Sequence, residues 1–265
     1  MSGALQAVFM NQRSFVFPYT GSAFPIMNTS DALGQTLSSG TRTDTNSASI
    51  VLAVPMNGAN NGTTFTDQSA TIKGSGSAKT FTRFGDTKTV TAQSKFYGSS
   101  GYFDGTGDYL QTPYATDFNF GSGNFTIETF VNISALGATK MLVDYIAPTA
   151  VTGNDLGWIF DINASNQLEG VLYNGTSAVG LIQAGSLSTN TWYHAAYVRS
   201  GTNFYMFLDG TLIGTASGSD AHNVNVGWNI DIGYGHSTGT QYMNGYLQDL
   251  RIYKGVAKYT SSFTP

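Results

Sequence analysis

The sequence contains no cysteine, only 6 prolines in 265 residues, and few charged side chains. Without cysteine the chain has neither disulfide bridges nor thiolate metal ligands. Charged residues make up 11% of the chain, against about 25% in ordinary soluble proteins. The net charge of −4 indicates no basic patch, so we expect no nucleic-acid partner. No apolar run approaches the roughly 18 residues that span a membrane, so we expect no membrane insertion.

Small polar and aromatic residues take the place of the missing charges. The chain has 32 glycines, 15 tyrosines and 17 phenylalanines, and the resulting neutral, hydroxyl-rich surface is typical of secreted and virion β-proteins. Residues 1–10 lack the basic and apolar stretches of a signal peptide. This fits a protein released by cell lysis, although a cytoplasmic protein would lack the signal as well.

The clearest pattern lies in residues 192–215, WYHAAYVRSGTNFYMFLDGTLIGT. Two apolar runs flank the turn residues 200–203, which is a hairpin signal. Asp209 and Gly210 then turn the chain again, because both tolerate the positive φ that tight hairpins need. Apolar residues on both faces predict that these three strands lie in the middle of a sheet rather than at its edge.

Turn signals elsewhere recur about every 8 to 12 residues, which is typical of a two-sheet sandwich. Residues 124–133 alternate most regularly, residues 71–73 form a weak predicted strand, and residues 101–110 are predicted to be a strand pair around a turn. No segment of helical length has a 3.6-residue period. The sequence therefore predicts an all-β, two-sheet antiparallel jelly-roll sandwich over residues 49–265, preceded by an extended arm and linker over residues 1–48.

The arm is apolar and aromatic but has no sustained period. Disordered tails are usually poor in such residues, so we expect the arm to bury itself on a partner subunit or a neighbouring copy; a disordered leader is the alternative. This predicts a homo-oligomer, with a trimer favoured. The predicted anchoring residues are Phe9, Phe15, Phe17, Tyr19 and Phe24.

Three ordered blocks carry a family resemblance. They are the phrases W-Y-H-x-A-x-V-R-S-G and F-x-D-G-x-x-x-G in residues 192–214, YFDGTGDYLQTP with NFGSGNFTIETFV in residues 102–131, and MNGYLQDLRIYKGVAKYTSSFTP in residues 243–265. Together they resemble laminin-G-like, concanavalin-A-like jelly-roll domains of the kind found in bacteriophage virion structural proteins. The resemblance covers roughly residues 49–265.

The resemblance implies a non-enzymatic structural protein at the virion surface. The arm would anchor it to other virion proteins, and the jelly roll would face outward as a capsid decoration or a tail or fibre component that binds host-surface glycan weakly. A free or cell-bound calcium-dependent lectin is the alternative, and a glycoside hydrolase is a distant one.

Calcium is the metal that the loop composition favours, because it takes oxygen ligands from Asp, Asn and backbone carbonyls. Relatives often hold a calcium ion at the sandwich rim, and the first and last strands of such sandwiches run side by side. The resemblance therefore implies a site at Asn57, Asp67 and Asp249, although family members usually carry an acid where Asn57 stands. The alternative is that these residues hydrogen-bond their own turns.

A carbohydrate site needs flat aromatic faces together with polar groups that bind hydroxyls. One loop phrase near the end of the chain offers both, and a subunit interface is an equally good interpretation of its exposed rings. The predicted carbohydrate-binding residues are Trp228, Tyr234, His236, Gln241 and Tyr242.

Catalytic groups are scarce. Glycoside hydrolysis requires two carboxyls flanking one bond, but the two glutamates, Glu128 and Glu169, lie on separate predicted strands, and neither has an acid two positions away. Glu128 is predicted to face outward, and His194 to be a hydrogen-bonded buried histidine. On the scarcity of paired carboxyls we expect no enzymatic activity.

Overall fold

The computed structural model of the chain describes residues 23–25, 41–146, 156–219, 228–236 and 239–265, with the backbone alone for 23–25, 41–43 and 156. This part of the chain is built almost entirely of short strands. It also contains one α-helix, α1 (Ser69–Lys73), which is far too short to cross a membrane; no helix that the structure describes is long and apolar enough to do so. The strands are β1 (Ala23–Pro25), β2 (Thr41–Thr43), β3 (Ile50–Val54), β4 (Thr82–Phe84), β5 (Lys88–Val90), β6 (Ser100–Asp104), β7 (Tyr109–Thr112), β8 (Phe125–Ile133), β9 (Lys140–Ile146), β10 (Leu156–Ile162), β11 (Leu168–Asn174), β12 (Ala178–Ala184), β13 (Trp192–Ser200), β14 (Asn203–Leu208), β15 (Thr211–Ser217), β16 (Ile230–Ile232), β17 (Tyr234–Gly235), β18 (Gln241–Tyr242) and β19 (Asn244–Lys254).

Two antiparallel sheets form the domain. The front sheet has the strand order β12-β11-β10-β9-β16-β7-β4, and the back sheet has the order β15-β14-β13-β8-β19-β6-β5. The long strand β19 pairs with β8 on one side, and with β6 and then β3 on the other. The predicted all-β, two-sheet antiparallel sandwich is confirmed.

The core lies between the sheets, because alternate residues of each strand point inward. Trp158 and Phe160 of β10 are fully buried there, and the Phe160 ring stacks against Tyr197 of β13 with centroids 6.3 Å apart. The Trp158 indole also donates a hydrogen bond to the Phe118 carbonyl at 3.1 Å. A Cβ at Gly170 would collide with the Tyr197 ring, so glycine makes room for it. Each such large apolar side chain stabilises the fold by about 1.5–3 kcal/mol.

The predicted hairpins are confirmed, since β13 pairs with β14 and β14 with β15. Asp209 and Gly210 take φ values of 48° and 74°, as a tight turn requires. The prediction that all three strands lie inside a sheet is confirmed for β13 and β14 but is wrong for β15, which is an edge strand of the back sheet. The outer face of this hairpin is apolar because Phe207 packs under the C-terminal Tyr259 and Phe263.

The same C-terminal segment covers a polar cluster. Glu128 accepts hydrogen bonds from Lys258 Nζ at 2.5 Å and from the Tyr259 hydroxyl at 2.9 Å, and His194 Nε2 lies 3.5 Å from its carboxylate. Burial would raise the pKa of Glu128, but Lys258 and His194 together hold that pKa well below its usual value. Glu128 therefore points away from the core, as predicted, but it is buried. His194 is buried as well, yet its Nδ1 has no hydrogen-bond partner among the described residues.

Two local predictions are wrong. Residues 71–73 belong to α1, which ends where Gly74 adopts a φ of 74°. A helical turn lets Ile72 pack with Tyr253 in a small cluster behind the back sheet. The strands predicted as a pair in residues 101–110 lie in different sheets, because the turn between β6 and β7 carries the chain from the back sheet to the front one.

Of the predicted anchoring residues, Phe9, Phe15, Phe17 and Tyr19 lie outside the described part of the chain. Phe24 lies in β1, which pairs with β2 in a separate two-stranded sheet. The division of the chain at residue 48 stays a prediction.

Candidate functional site

A small hairpin lies on the outer face of the front sheet. It consists of β17 and β18, in which Tyr234 pairs with Tyr242 and Gly235 with Gln241. The backbone N–H of His236 donates to Asp144 Oδ2 on β9 at 2.9 Å, and this bond ties the hairpin to the sheet. A Cβ at Gly235 would lie 3.1 Å from the Met141 side chain of β9, so the glycine lets the hairpin approach β9 closely.

Four aromatic rings form a continuous stack beside this hairpin. Phe84 stacks on Tyr109 with centroids 4.2 Å apart, Tyr109 on Tyr234 at 4.7 Å, and Tyr234 on Tyr242 at 4.9 Å. Each of the four is partly exposed. Burial raises the pKa of Tyr109 and Tyr234, so both hydroxyls keep their protons and remain hydrogen-bond donors. We call these four residues the aromatic stack.

His236 and Trp228 extend this apolar surface. The His236 ring lies edge-on to Tyr234 at 5.8 Å, and Trp228 lies 6.2 Å from His236. His236 Nδ1 is 3.2 Å from Asp231 Oδ2, while Gln111 Nε2 donates to Asp231 Oδ1 at 2.8 Å. Asp231 and Gln111 thus support the aromatic surface from the sheet beneath it.

Carboxyl groups line the adjoining part of the same face. Asp144 of β9 is the direct neighbour of Asp231 in the register, and its Oδ1 accepts the backbone N–H of Ile146 at 2.8 Å. Asp161 of β10 pairs across to Glu169 of β11. Burial raises the pKa of Asp231, although its hydrogen bond from Gln111 and the nearby His236 work in the opposite direction. We call Asp144, Asp161, Glu169 and Asp231 the acidic row.

The arrangement offers the groups that binding a sugar requires. Flat, partly exposed rings give apolar faces of the kind that contact sugar rings, and the neighbouring hydroxyl, amide and carboxyl groups match sugar hydroxyls. Ligand sites usually combine an apolar lining with a few convergent polar groups in this way.

The structure brings the predicted carbohydrate-binding residues together, since Trp228, Tyr234, His236 and Tyr242 form one group of rings and Gln241 lies in β18 beside them. Sequence reasoning missed Phe84 and Tyr109, which come from strands far away along the chain. It also missed the acidic row. The alternation in Ile230–Ile232 could have identified Asp231 as an outward-facing residue, because it stands between two isoleucines that both point into the core.

The predicted calcium ligands are placed near the paired strands β3 and β19, and this pairing of the first and last strands of the sandwich is confirmed. Asp67 accepts hydrogen bonds on both oxygens, from the backbone N–H groups of Ala53, Ser69 and Lys79 and from the Ser69 hydroxyl. Asp249 holds Arg251 through two hydrogen bonds. Calcium binding at Asn57, Asp67 and Asp249 stays a prediction. To bind the ion, the Asp67 and Asp249 carboxylates would have to give up some of these hydrogen bonds.

A second group of acids, Asp86, Asp104 and Asp108, has oxygens close enough to share a cation. Asp108 accepts the backbone N–H groups of Asp86 and Asp104, and Asp86 pairs with Lys88 at 2.9 Å. These bonds stabilise the turns that carry the three acids, and this explains why their carboxylates lie close together.

Comparison with known proteins gives a family and a fold. The model of the concanavalin A-like lectin/glucanases superfamily matches residues 104–258, more than half of the chain. A search of curated protein sequences gives no match. Many solved structures are similar in fold.

Three of these structures illustrate the likeness. The binding domain of Paraclostridial Mosquitocidal Protein 1 has a TM-score of 0.58 at 13% identity, over 79% of this chain and 50% of that one. Botulinum neurotoxin type C, which depends on interaction with two ganglioside molecules to enter cells, has a TM-score of 0.56 at 15% identity, over 80% and 49%. The binding domain of botulinum neurotoxin DC in complex with SialylT has a TM-score of 0.55 at 17% identity, over 79% and 49%. The chain thus spans about half the length of these proteins.

Proposed function

Since the chain belongs to the concanavalin A-like lectin/glucanases superfamily, we propose that its jelly roll is a non-enzymatic module that binds glycan through the aromatic stack. The observation that carries this proposal is the continuous row of partly exposed rings, Phe84, Tyr109, Tyr234 and Tyr242, beside hydrogen-bonding groups. The structural relatives that interact with gangliosides or form a complex with SialylT support it as well.

Binding is expected to be weak. A single shallow site of this kind gives millimolar to high-micromolar affinity, about −4 to −6 kcal/mol. Useful attachment then requires many copies presented together, because linked sites raise the effective concentration.

A glycan array probed with a multivalent form of the protein tests the proposal. We expect binding by the native chain and its loss in the Tyr234→Ala, Tyr242→Ala double variant. No binding to any glycan on the array, or equal binding by the native chain and the double variant, would refute the proposal. Release of reducing sugar from a bound glycan would show that the protein is an enzyme.

The biological setting that we propose is the virion surface, with the calcium-dependent lectin as the alternative. Two observations support it: the ordered blocks that resemble phage virion proteins, and the aromatic composition of residues 1–48. The arm would anchor a trimer to other virion proteins, either on the capsid or on a tail or fibre.

Deleting residues 1–48 tests this setting. The truncated chain should remain folded and soluble but no longer join phage particles. Attachment of the truncated chain, or a full-length monomer in sedimentation at micromolar concentration, would argue against the anchored trimer.

A further inference from the structure

An asparagine followed by a glycine can be attacked by its own backbone, because glycine has no Cβ to hinder the approach of its nitrogen to the asparagine side chain. The attack needs a glycine N–H that is not held by another group and an asparagine side-chain carbonyl that is polarised. The chain contains four such pairs, all among the described residues: Asn57-Gly58, Asn61-Gly62, Asn174-Gly175 and Asn244-Gly245. Their hydrogen bonds distinguish them.

Three of the pairs keep the glycine nitrogen engaged. The Gly58 N–H donates to the Ser99 hydroxyl at 2.9 Å, and the Gly62 N–H donates to the Ala59 carbonyl at 2.9 Å. Gly245 lies within β19, which pairs with β6 on one side and with β8 on the other. Giving up a hydrogen bond costs about 0.5–1.5 kcal/mol, so attack from these three nitrogens is disfavoured in the folded protein.

The turn between β11 and β12 is different. Gly175 has a φ of 91°, and its N–H donates to no group among the described residues. Asn174 Oδ1 accepts four hydrogen bonds, from the backbone N–H groups of Thr176 and Ser177 at 2.9 and 2.7 Å and from their hydroxyls at 3.0 and 3.3 Å. Asn174 and Gly175 are partly exposed and the next two residues are exposed, so water reaches the turn.

The four donors surround the oxygen that gains negative charge when Gly175 N bonds to Asn174 Cγ. Donors that already point at such an oxyanion lower the barrier, because they need no reorganisation during the reaction. The bond from Cγ to Nδ2 then breaks, and ammonia leaves as the proton of the Gly175 nitrogen is passed on through water. The product is a five-membered cyclic imide. A water molecule opens it at either carbonyl and gives aspartate or isoaspartate.

We propose that Asn174 is a site of spontaneous deamidation promoted by its own turn, and that the other three pairs are protected by the fold. The modification adds one negative charge to a chain with few charged residues. The aspartate product preserves the turn, because a carboxylate accepts the same four hydrogen bonds. Isoaspartate lengthens the backbone by one carbon and therefore disturbs the hairpin of β11 and β12. The proposal is independent of glycan binding.

Peptide mapping by mass spectrometry, after incubation of the full chain at mildly alkaline pH, tests the proposal. Each Asn-Gly peptide reports its own conversion, since deamidation replaces an NH₂ group by an OH group. We expect Asn174 to react at least about tenfold faster than the other three, which corresponds to about 1.4 kcal/mol in the barrier. In guanidinium chloride the four rates should converge. Equal rates in the folded chain, or an unchanged order of rates in the unfolded chain, would overturn the proposal.

Variants test the part played by the turn. Asn61 and Asn174 share the sequence Asn-Gly-Thr, so a difference between their rates comes from structure. The Thr176→Val, Ser177→Ala variant removes both hydroxyl donors and keeps both backbone donors, and it should slow deamidation at Asn174 by about tenfold. The matched control is Thr63→Val, at the corresponding exposed position after Asn61, which should leave the rate at Asn61 unchanged. An unchanged rate at Asn174 in the double variant, or an equal slowing in the control, would overturn the proposal.

Discussion

The buried pair between Glu128 and Lys258 joins the last residues of the chain to the back sheet, and replacing Glu128 by Gln should weaken the fold strongly. The substitution keeps the shape of the side chain but removes its charge. Lys258 Nζ would then stay buried without an anionic partner, since the Tyr253 hydroxyl at 3.2 Å is neutral. The rings of Tyr253 and Tyr259, with centroids at 4.3 and 5.2 Å, are its other contacts for the positive charge. Removing one member of a buried pair typically costs about 3–5 kcal/mol.

Urea denaturation measures this loss directly. For a domain of this size, 3–5 kcal/mol corresponds to a fall in melting temperature of roughly 6–20 °C. The matched control is Glu169→Gln, which changes the other glutamate of the chain at a partly exposed position of the front sheet. That change should stay within about 0.5 kcal/mol.

The pH dependence gives a second test. Because the folded protein holds the pKa of Glu128 below its ordinary value, the stabilisation is present above about pH 4.5 and is lost as the pH falls through the folded pKa. The native and Glu128→Gln curves should therefore converge in acid. A variant within about 1 kcal/mol of the native chain at pH 7, with a parallel pH profile, would refute the reasoning.

Three further predictions concern other positions. Asp161→Asn should raise the free energy of unfolding at neutral pH, because folding raises the pKa of the Asp161 carboxyl and the native protein therefore loses stability as the pH rises above about 3.8. A tenfold difference in proton affinity between the folded and unfolded chain is worth about 1.4 kcal/mol. Urea curves of the native and variant chains that coincide at pH 7 would contradict this. Gly210→Ala should lower the free energy of unfolding in urea by more than about 1 kcal/mol, because φ is 74° there and a Cβ would collide with the Phe263 carbonyl; an unchanged midpoint would show that the C-terminal segment does not pack on this turn. The predicted calcium site implies a melting temperature several degrees higher in millimolar calcium than in chelator; identical melts would remove the site.

Much of the fold could be predicted from local patterns. Alternation in residues 124–133 and the Asp209-Gly210 turn depend on neighbours along the chain, and the structure confirms both. The edge position of β15 could not be predicted, because the apolar outer face of its hairpin is covered by Tyr259 and Phe263, some 50 residues later. The burial of Glu128 has the same cause.

The candidate site was predictable only where its residues are close in sequence. Tyr234, His236 and Tyr242 lie within one phrase and could be grouped by composition. Tyr109 and Asp144 reach the same surface through the pairing of β7, β16 and β9, and a register between distant strands leaves no mark on either segment. Pairing between strands that are distant in sequence therefore brings most of the acidic row together.

The most direct test of glycan binding at the aromatic stack compares two tyrosine pairs in one calorimetric titration. Tyr234 and Tyr242 stack at 4.9 Å on the front sheet, and Tyr102 and Tyr246 lie 5.2 Å apart on the back sheet. A glycan identified on the array should bind the native chain and the Tyr102→Ala, Tyr246→Ala variant equally, and should lose at least tenfold in affinity, about 1.4 kcal/mol, with the Tyr234→Ala, Tyr242→Ala variant. Equal losses in both variants, or a loss confined to the back-sheet pair, would contradict a binding site on the front sheet.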